Sequence, residues 1–123
     1  MTDFFIKALD NLSAAKLLFE NGLYDASANR AYYAAFHGAV AALAAKGITR
    51  DRLDHEWVQS QFNGRLIKRE KVFPGKIKSF LSEMQAIRNI ADYKLANVNR
   101  KMASRQIGRA EEMVRPIGKV LEI

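Results

Sequence analysis

Between residues 28 and 43 the chain reads Ala-Asn-Arg-Ala-Tyr-Tyr-Ala-Ala-Phe-His-Gly-Ala-Val-Ala-Ala-Leu. Alanine has the highest helix propensity of any residue, so this stretch is expected to be helical. Its small side chains also let a second helix approach closely, which suits either a tight core or an interface. Packing alone does not require the arginine, the two tyrosines and the histidine it carries. Helical spacing puts Arg30, Tyr33 and His37 on one face at i, i+3 and i+7. Arg30 and His37 then stand two turns, roughly 10 Å, apart along the axis.

The flanking sequence extends the helical pattern in both directions. From Asp3 to about Asn21 the apolar positions Phe5, Leu9, Leu12, Ala15, Leu18 and Phe19 recur at steps of three and four, apart from the adjacent last pair, which predicts an amphipathic helix. Asn21-Gly22 is a C-terminal stop signal. A second helix should start at Tyr24 or Asp25 and run to Lys46, with Gly47 ending it. Asp54 is the expected N-cap of a third, with Glu56 in its first turn and Val58, Phe62 and Leu66 along its buried stripe. Trp57 is expected to close the edge of the core. Pro74-Gly75 marks a turn. A fourth helix places Ile77, Phe80, Leu81, Met84, Ile87 and Ala91 on one face and ends between Tyr93 and Ala96. Asn97 and Asn99 then supply turn or capping chemistry. In the last helix Ala103, Ile107, Ala110, Val114, Ile117 and Leu121 form a heptad-like seam, and Pro116 inside it should kink the helix.

No segment alternates convincingly like a strand, and there is no internal repeat. The expected fold is therefore all-α, an antiparallel up-and-down bundle of four to five helices in a single domain, 1–123. No apolar run approaches the ~20 residues of a membrane span. The N-terminus has no positive region ahead of an apolar stretch, so a cytoplasmic protein without a signal peptide is expected. With no cysteine in the chain, disulfides and thiolate zinc sites are excluded. No Glu-x-x-His pair of the kind that builds di-metal sites in bundles occurs, no Gly-rich phosphate loop is present, and no metal or cofactor is expected.

The net charge of +7 is unevenly spread. Residues 1–46 carry four basic and four acidic side chains, whereas residues 76–123 carry ten basic and five acidic, or +5. That asymmetry suits a polyanionic partner such as RNA, or simply a solvated basic surface. Lys101, Arg105 and Arg109, at i, i+4 and i+8, should form a basic ridge on the fifth helix, with Lys94 and Arg100 beside it. Arg88 and Asp92, at i and i+4, can pair on the fourth helix.

Three of these segments together resemble a known family. Arg-Ala-Tyr-Tyr-Ala-x-Phe-His at 30–37, His-x-x-Val-x-x-x-Phe at 55–62 and Arg-x-x-Ala-Asp-Tyr at 88–93 look like the HEPN domain (higher eukaryotes and prokaryotes nucleotide-binding), in its small single-domain prokaryotic branch. The resemblance runs from about residue 4 to residue 121. It implies a compact bundle of four to five helices, usually a homodimer. It also implies a toxin-like role beside a minimal nucleotidyltransferase as partner protein, with RNA or a nucleotide bound at the dimer cleft. Many such proteins are metal-independent ribonucleases in which an Arg is followed after four to six residues by a His. Arg can clamp a phosphate bidentately, and His exchanges protons near neutral pH.

This chain departs from that pattern at the decisive place. Counting from Arg88, the His positions fall on Tyr93, Lys94 and Leu95. Arg88 carries over; the histidine does not. Arg50–His55 also fits the spacing but is read as a loop coincidence, and Arg30–His37 fits it on the second helix. The candidate catalytic set is therefore Arg88, Asp92 and Tyr93, with His37 as a stand-in imidazole if it reaches Arg88 across the bundle. A His37 held among apolar rings would instead be a core histidine. Arg30, Tyr33, Lys94, Arg100, Lys101, Arg105 and Arg109 are the candidate binding residues. The alternative function is a non-catalytic module that dimerises or docks a nucleotidyltransferase.

Overall fold

The computed structural model describes residues 3–95 and 97–121. Within them lie five α-helices: α1 (Asp3–Glu20), α2 (Tyr24–Ala45), α3 (His55–Gln61), α4 (Phe80–Tyr93) and α5 (Arg100–Val120). No strand occurs among the described residues, and no helix is long and apolar enough to cross a membrane.

Local chemistry sets most of the boundaries. α1 ends in a Schellman motif: Gly22 adopts φ 75°, its N–H donates to Phe19 O at 3.1 Å, and Leu23 N–H donates to Leu18 O at 3.0 Å. α2 ends the same way at Gly47, φ 76°, with Ile48 N–H on Leu43 O at 3.0 Å. The Asp54 carboxylate accepts the Trp57 N–H at 2.8 Å, and the Asn99 side chain accepts the Met102 N–H at 2.8 Å, so both expected caps form.

Paired contacts give the topology. Ala8 packs near Gly38, and Ser27 Oγ donates to Ala15 O at 2.7 Å, so α1 and α2 are antiparallel. Asn29 meets Asp92 while Tyr33 meets Arg88, so α4 is also antiparallel to α2. Gln106 reaches Ala28 O and Gly38 faces Val114 and Ile117, which makes α5 parallel to α2. This is an up-down-up-down bundle with α3 appended. Alanines 28, 31, 34, 35, 39, 41 and 42 are all buried, and their small size lets α2 lie against α1, α4 and α5 at once.

Two expectations are modified. The third helix does not continue as an α-helix: from Phe62 to Arg69 the chain widens into a π-helix. That turn buries Leu66 and Ile67 together, and Glu70 N–H bonds to Arg65 O at 2.9 Å. Ile77 is buried as expected but sits in a 3₁₀ turn, Gly75–Ile77, held by Ile77 N–H on Pro74 O at 3.3 Å; α4 begins only at Phe80. Pro116 lies inside α5, which runs from Arg100 to Val120.

Candidate functional site

The Arg88 side chain projects from α4 toward α2 and is only 14% exposed. Its Nε lies 3.0 Å from Asp92 Oδ2, one turn on. Nη2 donates to the Tyr33 hydroxyl at 2.9 Å and reaches the Tyr93 hydroxyl at 3.5 Å, and Nη1 donates to Asn89 Oδ1 at 3.2 Å. The guanidinium also stacks over both tyrosine rings, with Cζ 5.4 Å from each centroid.

A second arginine approaches the same ring from α2 itself. Arg30 Cζ lies 5.1 Å from the Tyr33 centroid. Its Nε and Nη2 both donate to Asn29 Oδ1, at 2.8 and 2.6 Å, and Nη1 donates to Asn11 Oδ1 on α1 at 2.9 Å. Asn29 closes the circuit by donating its Nδ2 to Asp92 Oδ2 at 2.8 Å. Two guanidinium groups, one carboxylate and two tyrosine hydroxyls thus form one connected network across α1, α2 and α4. Asp92 is the acidic member holding both arginines, one directly and one through Asn29. This arrangement fixes the fork of each guanidinium, and a fixed fork is what bidentate recognition of a phosphate requires.

Tyr32, the neighbour of Tyr33, turns into the core and is fully buried. Its hydroxyl lies 2.6 Å from Nδ1 of His55, the first residue of α3. Burial pushes the Tyr32 phenol up to about 12, so it remains protonated at neutral pH. Burial also lowers the His55 pKa, and the Arg88 charge lowers it further, while Asp54 works weakly in the other direction. His55 is therefore a neutral imidazole, half-buried against Phe36 with ring centroids 5.0 Å apart.

His37 occupies a different environment. Its ring packs with those of Phe4, Phe36 and Tyr33 at centroid distances of 6.2, 5.8 and 6.0 Å. Burial lowers its pKa; the Tyr33 carbonyl one turn back raises it, and the charges of Lys7 and Arg30 lower it. Among the described residues no hydrogen bond or ring contact joins His37 to Arg88. The shared helical face brings His37 to Tyr33 and into the field of Arg30, and no further. Arg50 and His55 do not converge either: Arg50 stacks on Trp57 at 5.2 Å and pairs with Asp54, while His55 turns toward Tyr32.

The basic residues of the last helix divide. Arg109 is drawn against α4 by Glu83, Nη2 to Oε2 3.4 Å. Arg100, Lys101, Ser104 and Arg105 line an open depression on the α1–α5 side, with Arg100 Cζ 4.9 Å from the Phe19 centroid. Lys94 is exposed at the C-terminus of α4. No contact among the described residues links these side chains to the Arg88 network. Asn11, Asn29, Tyr32 and His55 were not legible as site residues, because each reaches the cluster from another helix or turns the opposite way from its neighbour. The one sequence signal for His55 was its place at the head of the His-x-x-Val-x-x-x-Phe segment.

Comparison with known proteins places the chain in a family. The model of the HEPN domain matches residues 1–120. A protein of Methanocaldococcus jannaschii named "Putative toxin MJ0605" is 36% identical over 118 residues, covering 94% of this chain and 84% of the relative. A Thermotoga maritima protein named "UPF0332 protein" is 32% identical over 117 residues, covering 94% and 86%. The chain belongs to the HEPN domain family.

Proposed function

We propose that this HEPN protein is the toxin-like half of a pair with a minimal nucleotidyltransferase, and that it binds RNA or a nucleotide through the Arg88 network. The observation carrying the proposal is Arg88 itself. Asp92, Tyr33, Tyr93 and Asn89 hold its fork in place, with Arg30 on the same tyrosine ring. Two oriented guanidinium groups 5.1 and 5.4 Å from one aromatic ring suit a phosphodiester with a base stacked beside it. Tyr93, 71% exposed, is the surface ring best placed for that stacking. The toxin name belongs to the Methanocaldococcus relative and supports the role here.

In this reading the protein is a single cytoplasmic domain that works as a homodimer, with Lys94, Arg100, Lys101 and Arg105 attracting the polyanion at longer range. The test is a gel shift with a mixed single-stranded RNA pool at two salt concentrations, in EDTA. Wild type should bind and lose affinity steeply with salt, because phosphate contacts release counterions, and Arg88→Ala should bind at least tenfold more weakly. Equal affinity of the two proteins would end the proposal.

One observation favours the second reading, a non-catalytic docking module. Tyr93 and Leu95 stand exposed together at the end of α4, 71% and 104%, as an anchor for a protein partner would. A stable complex with a nucleotidyltransferase that survives Arg88→Ala but not Leu95→Asp, in a protein that shifts no RNA, would select it.

A further inference from the structure

The first turns of α5 place their charges against the stability of the helix. Arg100 and Lys101 open it behind the Asn99 cap, and no acidic residue stands in the first turn. Cations there oppose the helix dipole, and Lys101 and Arg105 repel each other at i and i+4. Further along the same helix Arg109 is neutralised by Glu83 at 3.4 Å and Arg115 by Glu111 at 3.2 Å. Across the α1–α5 seam Lys16 also pairs with Glu111, at 3.2 Å. Among the described residues no carboxylate pairs with Arg100, Lys101 or Arg105.

These three cations line one open depression of about 690 Å³, together with Ser104 and, from α1, Phe19. That volume is the size of a small-molecule site and exceeds what a lone ion fills. The Phe19 ring packs against that of Tyr24, with centroids 5.5 Å apart, and carries the Arg100 guanidinium at 4.9 Å. Such a stack restricts the fork of an exposed arginine while its N–H edge stays free to donate.

The three charges fall within roughly 7.5 Å of helix rise. A phosphodiester strand brings one charge per nucleotide, whereas a polyphosphate chain gathers several in that space. We propose that the α1–α5 depression is a polyphosphate site, separate from the Arg88 network, that takes the triphosphate of a free nucleotide or of an RNA 5′ end. Arg100 and Arg105 donate forked pairs to its non-bridging oxygens, Ser104 donates its hydroxyl and Lys101 adds a point charge. The site therefore does more than attract a polyanion at long range: it holds one ligand, and no covalent bond is made or broken.

The experiment titrates inorganic tripolyphosphate into the whole chain by calorimetry, without divalent metal. Wild type should show saturable binding, one per chain. A Lys101→Ala, Arg105→Ala double variant should bind about tenfold more weakly or worse. Lys119→Ala, which removes a charge elsewhere on the same helix, should leave the affinity unchanged. The double variant should melt no lower than wild type, because it relieves like-charge repulsion, so its loss of binding is not unfolding. Absence of saturable binding by wild type overturns the proposal, as does equal weakening by the double variant and Lys119→Ala, the mark of general surface charge. Two further arms separate the sources. A 5′-triphosphate oligoribonucleotide that binds more tightly than the same sequence with a 5′-hydroxyl, with the difference erased in the double variant, assigns the site to an RNA end. ATP that displaces tripolyphosphate, with no preference between the two RNAs, assigns it to a free nucleotide. Failure here leaves the Arg88 proposal standing, since that gel shift reads the effect of Arg88→Ala on RNA and not the effect of these residues on tripolyphosphate.

Discussion

Separating Arg88 from Asp92 tests whether the network is a rigid, desolvated device or a surface ornament. At the observed 3.0 Å, Coulomb attraction is about 1.4 kcal/mol in bulk water and about 5.5 kcal/mol at an effective dielectric of 20. The two side chains are 14% and 25% exposed, so much of each has left water, and desolvation offsets a large part of the gain. A net coupling of about 1–2 kcal/mol remains, above the ~0.3–0.5 kcal/mol of an exposed i,i+4 pair. Asp92→Ala alone should cost more, about 2–3 kcal/mol, because it strands a mostly buried guanidinium and removes the acceptor of Asn29 Nδ2. A double-mutant cycle by urea denaturation with Arg88→Ala, Asp92→Ala and the double variant isolates the pair. Coupling should survive from 0.1 to 1 M salt with little loss, since buried pairs are weakly screened. A coupling below about 0.3 kcal/mol, or one abolished by salt, would refute the argument that Arg88 is held in a preset orientation.

Gly38→Ala should stabilise the protein by about 1 kcal/mol, since a new Cβ meets Ile117, Val114 and Ala8 at 3.5, 3.6 and 3.9 Å, ordinary contact, and alanine is the better helix former. Thermal melting should rise by about 4 °C. Gly118→Ala puts its Cβ 3.0 Å from Phe5 Cζ and should gain nothing or lose stability in the same assay. Ser27→Ala removes the buried bond to Ala15 O and should cost about 1 kcal/mol in urea, by loosening α1 from α2. His37 and His55 both have folded pKa values below 6.5, so the unfolded chain binds more protons. Their contribution is fully present above 6.5 and is lost as pH falls through the folded values. Urea midpoints should therefore drop on acidification below 6.5, and the drop should shrink in a His37→Gln, His55→Gln double variant.

What the sequence determined by itself is everything that depends on neighbours within a turn or so of helix. The glycines at 22 and 47 end helices because only the left-handed conformation closes a Schellman bond there, and Asp54 and Asn99 start helices because a short acceptor satisfies a free N–H. The Arg88–Asp92 pair belongs to the same class, since four residues make one turn. The all-α class follows from the same periodicity. Tertiary structure alone decided which helix faces meet. Asn29 and Asp92 are 63 residues apart, Tyr33 and Arg88 are 55, and Tyr32 and His55 are 23. No spacing rule connects such positions. Packing of the small-residue α2 against three helices brings them together, and it sends His55 rather than His37 toward the arginine's field. The same packing pulls Arg109 out of the expected ridge to Glu83 and widens the third helix so that Leu66 and Ile67 are buried together. Helical periodicity specifies a face; only the neighbouring helix specifies what that face touches.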